Sequence, residues 1–389
     1  LKSLMSNPQF WKPGTVVIDP VGGREASTTG EENNDSVLVN MSRDTKKTNT
    51  TSSGTLPIEK YERKILYELE RNQVLIVTGE TGCGKSTILP QQLIRGGWAG
   101  SIDDASSKIR NGGSSRCIAC TQPRRMAVLS VSNYVANCRQ CHLGHEVGYS
   151  VQWDRRISPS TQLAYFSDAM LLQEILIDPL LSRYTVVIVD EVHVRSTQSD
   201  ALLGLLRKIL TRRSQDFRIV VMSATADVPF LHSFFGLDVD SGTSTTTNVY
   251  HVHVTGKVHD VDTMHLQHAC RDMEDAVVNT VLSLHGSEAL DGDILVFLPD
   301  AASIDRCERN LRYIREAGSK YVDDGLIVLP LHGGLPLRQQ SLVFLPAKEL
   351  QHIGKDSVVD TNRGKPNARK VILATDIAES SITIDGIRF

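Results

Sequence analysis

Apolar residues in this chain come in short blocks separated by polar, helix-patterned stretches. Residues 74–77 (VLIV) are one such block; a glycine-rich turn follows, then a helical pattern from Ser86 to about Ile94, stopped by Gly96 and Gly97. An unbroken apolar run of this length suits a strand buried on both faces. The signature recurs at 117–121, in the TVVIV run within 182–191 and at 218–222, with helical patterns over 126–137 and 200–211. After about residue 250 the chain restarts. Strands are expected at 294–298, 326–331 and 371–374, and helices at 275–284, 302–316 and 338–344. Strands alternating with helices predict an α/β protein with parallel sheets covered on both faces. The spacing divides it into a first domain over 56–245 and a second, incomplete one over 246–389.

The polar stretches set the boundaries. Residues 1–55 are rich in Ser, Thr, Asn, Gly and acids, and are expected to form a disordered N-terminal extension. Residues 58–72 follow an amphipathic helical pattern with Ile65, Leu66 and Leu69 on one face. Residues 99–115 and 238–249 read as loops. The composition, 40% hydrophobic and 22% charged over 389 residues, is ordinary for a globular protein. No run approaches a membrane span, and the opening LKSLMSNPQFWKPG lacks the apolar core of a secretory signal. A net charge of −3 means that any nucleic-acid site must be a local groove. Seven cysteines, an odd count, favour a reducing compartment.

The turn after the first apolar run carries the chemistry. Gly79, Glu80, Thr81, Gly82, Cys83, Gly84, Lys85, Ser86 and Thr87 fit G-x-x-x-x-G-K-[ST] without a gap. Glycines let the backbone aim several N–H groups at one phosphate chain, at the positive end of the following helix. Lys85 then reaches the β- and γ-phosphates of ATP, and the Ser86 hydroxyl ligates Mg²⁺. Asp190 and Glu191 end a second apolar strand. Alone, such a pair is a solvated loop. Beside a phosphate loop, it is how ATPases of this class hold Mg²⁺, with Glu191 placed to orient or deprotonate the attacking water.

In order along the chain, these segments resemble those of the DEAH-box RNA helicases, the kind that remodels ribonucleoproteins such as the spliceosome. GETGCGKST (79–87) matches that family's motif I, TQPRRMAV (121–128) motif Ia, and GHEVGYSVQWD (144–154) and YFSDAMLLQEIL (165–176) the segments around motif Ib. DEVHVRS (190–196) matches motif II, MSAT (222–225) motif III, ILVFLPD (294–300) motif IV, PLHGGLP (330–336) the stretch after it, and ATDIAESSITIDGIRF (374–389) motif V. The resemblance covers about residues 58–389 and implies two RecA-like P-loop domains, the second incomplete. It implies that His193, Ser223 and Thr225 couple nucleotide state to RNA grip, and that Arg124, Arg125 and Thr375 touch RNA phosphates. It places Asp385 near the ribose, and Phe344 with Tyr134 on either face of the base. The implied partners are single-stranded or duplex RNA, spliceosomal proteins and an activating cofactor protein. The implied location is the nucleus, with the cytoplasm as the alternative.

Departures from the family pattern are Val192 for Ala, Val194 for Glu, Ala169 for Gly, Gln173 for Arg, and Tyr134 for Arg. The family's motif VI, with its arginine fingers, is expected after motif V, and the sequence ends before it; a fragment or a truncated gene product is the expectation. A nucleotide- and RNA-binding module without catalysis is therefore the alternative to an active helicase. Cys117-x₂-Cys120 and Cys138-x₂-Cys141 match a zinc spacing. A strand at 117–121, however, turns Cys117 and Cys120 to opposite faces, which favours buried and helix-end cysteines. The histidines between 251 and 268 lack ligand spacing and read as linker and surface residues.

Two expectations follow from the sequence. Without an arginine finger, a group worth about 10³ or more in phosphoryl transfer, these residues alone should bind ATP and turn it over slowly. Robust RNA-stimulated steady-state ATPase would contradict this. Stacking by Tyr134 in place of cation–π attraction accepts any base, so GTP, CTP and UTP should serve almost as well as ATP. A preference for ATP above roughly tenfold, or unchanged affinities in Tyr134→Ala, would refute it.

Overall fold

The computed structural model describes residues 10–11, 56–100, 116–225, 227–236, 248–256, 261–266, 268–286, 292–316, 325–350, 368–379, 384 and 386–389. Apart from Phe10 and Trp11, the expected extension over 1–55 lies outside these residues, as do most of the two expected loops and Asp385. The described parts of 56–260 and 270–389 form one compact unit. Phe10 and Trp11 belong to another, where they pair antiparallel with Leu266 and His265.

The apolar blocks become the strands of an eight-stranded sheet. These are β1 (Val74–Gly79), β2 (Cys117–Gln122), β3 (Val147–Val151), β4 (Asp154–Arg156), β5 (Leu163–Ser167), β6 (Tyr184–Val189), β7 (Arg218–Ser223) and β8 (Val249–Val254). Their order is β4-β3-β5-β2-β6-β7-β1-β8. All neighbours are parallel except β3 with β4, which form an antiparallel hairpin. Successive side chains of a strand point to opposite faces, so each central strand feeds two cores. Leu75, Val77, Ile118, Cys120, Val186 and Ile188 enter one cluster; Val74, Ile76, Cys117, Ala119, Val187 and Val189 enter the other. Cys117 and Cys120 thus sit buried on opposite faces and cannot converge on one ion.

Helices α1 (Glu62–Arg71), α2 (Ile88–Arg95) and α3 (Arg125–Cys138) carry residues of the first cluster; α4 (Asp168–Ile177), α5 (Thr197–Arg212) and α6 (Val228–Gly236) carry residues of the second. α1 turns Ile65 and Leu69 inward, as its amphipathic pattern requires. α5 begins at Ser196, whose hydroxyl accepts the Ser199 N–H at 3.0 Å.

β8 corrects one boundary. It lies beyond residue 245, where the first domain was expected to end, yet it pairs with β1 from Val74 to Gly79. The reason is physical: without it the phosphate-loop strand would be an edge with unpaired backbone groups. Val252 and Val254 also fill the first core. His251 and His253, read from the sequence as linker residues, therefore belong to the sheet, and both ring nitrogens face the Thr78 hydroxyl, at 2.7 and 3.0 Å.

The second sheet has three described strands, β9 (Ile294–Phe297), β10 (Leu326–Leu331) and β11 (Arg369–Ala374), all parallel in the order β9-β11-β10. Helices α7 (Met273–Gly286) and α8 (Ala301–Glu316) contribute to its core. Lys370 is buried in this sheet; its ammonium donates to the carbonyls of Val343 (2.9 Å) and Leu345 (3.2 Å) and lies 3.6 Å from Asp293. No described helix is long and apolar enough to cross a membrane.

Candidate functional site

β1 delivers the chain into the turn 81–87, and α2 takes it up at Ile88 rather than at Ser86. Gly82 and Gly84 adopt φ of 77° and 99°, left-handed values that L side chains rarely reach. A Cβ on Gly84 would also press to 2.9 Å from Ile58. Lys85 is 4% exposed, and its ammonium donates to the carbonyls of Gly79 (2.5 Å) and Glu80 (2.8 Å), 3.7 Å from the Cys83 sulfur. The cation is thus held inside the loop whose amides would receive phosphate.

Asp190 and Glu191 follow β6 at the carboxyl edge of the sheet, both buried. Burial pushes the Asp190 carboxyl up, and the neighbouring Glu191 charge adds to it; the Ser86 hydroxyl, the Glu191 N–H and Lys85 oppose the shift. Glu191 is also raised by burial, against the pull of Lys85 and Arg124. Asp190 accepts the Glu191 N–H at 2.9 Å and the Gln122 side-chain amide at 2.5 Å. Glu191 sits at φ 54°, ψ 39°, and Arg195 at φ 51°, ψ 51°, with one short helical turn, Val192–Val194, between them. Two left-handed non-glycine residues cost about 1–3 kcal/mol each. Arg195 is braced by a two-pronged ion pair to Asp200 at 2.9 and 3.0 Å. Val192, where the family pattern has Ala, is 4% exposed and joins the second core.

His193 lies between the acids and the third motif. Its Nδ1 is 3.2 Å from the Ser223 hydroxyl and 3.4 Å from Glu191. Burial lowers its pKa; the Asp190 charge works against that and Lys85 with it. Ser223 is fully buried and Thr225 is exposed.

The donor set fits Mg²⁺, which is bound through one or two carboxylates, phosphate oxygens and water. The Ser86 hydroxyl lies near enough to Asp190 to oppose the rise of its pKa, both carboxylates are destabilised by burial, and Glu191 Oε2 is buried without a hydrogen-bond partner among the described residues. No group of three His, Cys, Asp or Glu ligands occurs among the described residues.

Comparison with known proteins agrees with this geometry. Residues 59–233, which hold the phosphate loop, the acids and Ser223, match the DEAD/DEAH box helicase family. This segment is a DEAD/DEAH box helicase domain. The chain is 41% identical over 334 residues to a Caenorhabditis elegans protein named as an ATP-dependent RNA helicase DHX35 homolog, covering 85% of this chain and 41% of that one. It is 40% identical over 332 residues to a Schizosaccharomyces pombe protein named as a pre-mRNA-splicing factor ATP-dependent RNA helicase, covering 85% and 45%. The chain thus spans less than half the length of these relatives. Among solved structures, the Escherichia coli DEAH/RHA helicase HrpB is 27% identical with a TM-score of 0.61, over 86% of this chain and 36% of that one. The likeness extends to the α/β fold with its mostly parallel sheets.

The remaining residues named from the family pattern lie at the start of α3 and along it, and in short turns beside the second sheet. Arg124 donates to the carbonyl of Asp376, and Arg125 donates to that of Gln152 at 3.0 Å. Thr375 starts a short turn, Asp376–Ala378, its hydroxyl facing the Ile377 N–H at 3.5 Å. Tyr134 is 50% exposed on α3, whose buried positions are Met126, Ala127, Val128, Ser132, Val135 and Ala136. Phe344 is half-buried against the core that holds Ile327 and Val343. Two further residues lie in segments that match the family but were given no role of their own. Gln122, in the TQPRRMAV segment and last in β2, holds Asp190. Trp153, 91% exposed at φ 70°, tips the β3–β4 hairpin that Arg125 grips. A large apolar side chain that exposed is a recognisable signal only once burial is known.

The Glu191 geometry yields a test. Glu191→Gln should leave nucleotide affinity within about threefold while lowering kcat by roughly 10²–10⁴, the usual worth of a positioned general base. Parallel loss of binding and turnover would instead mean that the change breaks the strained turn.

Proposed function

We propose that this chain is the nucleotide-hydrolysing part of an ATP-dependent RNA helicase that remodels RNA or ribonucleoprotein in pre-mRNA splicing. One observation carries the reading. Asp190 and Glu191 are buried at the carboxyl edge of the sheet, beside the phosphate loop with its buried Lys85, which supports phosphate, metal and water positions at one strand edge. Mg²⁺, when bound with ATP, would supply the charge that neutralises the γ-phosphate oxygens.

The residues of the chain do the rest. Backbone amides of residues 80–86 bind the phosphates, and Lys85 is released from the Gly79 and Glu80 carbonyls to meet them. Glu191 holds the attacking water and takes its proton. His193, bridging Glu191 and Ser223, reports the state of that water to the end of β7. Arg124, Arg125 and Thr375 hold RNA phosphates, and Arg124 already spans from the first sheet to the Asp376 carbonyl. Domain closure on ATP then moves one RNA grip against the other. ATP and Mg²⁺ are the cofactors of this reading, RNA and spliceosomal or activating proteins its partners, and the nucleus its location. Relatives named as ATP-dependent RNA helicases and as a pre-mRNA-splicing factor support it.

Mg²⁺-dependent binding of ATP by the purified protein tests the reading; absence of nucleotide binding would end it. The RNA face has its own test. Stacking of a base on Trp153 predicts that Trp153→Ala weakens single-stranded RNA binding by about 1–3 kcal/mol, the usual worth of one aromatic contact. Unchanged affinity by fluorescence anisotropy at fixed salt would remove the hairpin from the RNA path.

A further inference from the structure

We propose that Gln122 is a positioning residue for the divalent cation: its side-chain amide sets the orientation of Asp190 and thereby the affinity of the site for Mg²⁺. The proposal rests on the nucleotide-hydrolysing reading above.

Gln122 is the last residue of β2 and is fully buried. Its Nε2 donates to Asp190 Oδ2 at 2.5 Å, across 68 residues of sequence. An ionised carboxylate only accepts, so the amide nitrogen and not its oxygen must face Asp190. The Gln122 Oε1 has no partner among the described residues, which leaves the carboxylate as the one contact that orients this amide. Asp190 Oδ1 meanwhile takes the Glu191 N–H at 2.9 Å. With one donor on each oxygen, the plane of the carboxylate is fixed. Groups that hold a metal ligand in this way commonly alter metal affinity by 10–100-fold when removed. Asp190 is desolvated, so a lost hydrogen bond is not replaced by bulk water. Gln122 also begins the segment that continues to Arg124 and Arg125, which ties the cation's ligand to the proposed RNA grip through two peptide units.

The test compares the wild type with Gln122→Leu and Gln122→Met, both close in volume and both without a donor. Binding of a fluorescent ADP analogue is titrated with Mg²⁺ and, separately, measured in chelator. The expected result is a half-maximal Mg²⁺ concentration raised about 10–100-fold in the variants, with metal-free nucleotide affinity unchanged. Unchanged Mg²⁺ dependence in a folded variant overturns the role of Gln122 and leaves the nucleotide reading intact. So does an equal loss of metal-free binding, which marks a general packing defect. A wild type that binds no nucleotide overturns the reading and this proposal together. Thermal melting identifies the folded variants; should Leu fail to fold, the flexible Met side chain fills the same space.

Discussion

Two adjacent carboxylates buried at the carboxyl edge of the first sheet are the constraint that the surrounding structure answers. Taking charge out of water is costly unless it is met by hydrogen bonds and opposite charge. Asp190 receives the Gln122 amide and the Glu191 N–H, while Glu191 is met by the charges of Lys85 and Arg124. Both remain raised by burial, so the pair favours a state with added positive charge. The left-handed backbone at Glu191 and Arg195 belongs to the same constraint. It turns the chain sharply enough to present Glu191 and His193 side by side, and it persists because Val192 is anchored in the core below.

From that pair, contacts run outward along separate routes. His193 reaches Ser223 at the end of β7. Gln122 leads to Arg124, which meets Asp376 beyond β11. Asp168, buried at the start of α4, accepts the Ser199 hydroxyl at 2.7 Å and so joins the segment after β5 to the helix that follows the acids. These contacts tie strand ends to the helices and turns packed around them.

Much of this was legible in the chain. Strands at 74–79, 117–122, 184–189, 218–223 and 326–331 appear where apolar blocks predicted them, because a strand buried on both faces has no choice but an unbroken apolar run. The strands at 147–151 and 163–167 were not separately recognised, since VGYSV and LAYFS mix small and polar residues with aromatics. His251 and His253, which lack ligand spacing and read as linker and surface residues, gain a place in the sheet only through the pairing of β8 with β1. The helix at 228–236 has its start written in the chain, since Asp227 accepts the Phe230 N–H at 2.9 Å with Pro229 in the first turn.

By itself, then, the sequence determined the local chemistry: the glycines and Lys85 of the phosphate loop, the acids at a strand end, and the α/β alternation. These depend on residue type and short spacing, which backbone geometry converts directly into structure. Tertiary structure decided what meets across long separations. Gln122 finding Asp190, Arg124 finding Asp376, Cys117 and Cys120 parting to opposite cores, and β8 closing the sheet at residue 254 all depend on strand order and register. Strand order is set by packing of the whole sheet, and no local pattern encodes it.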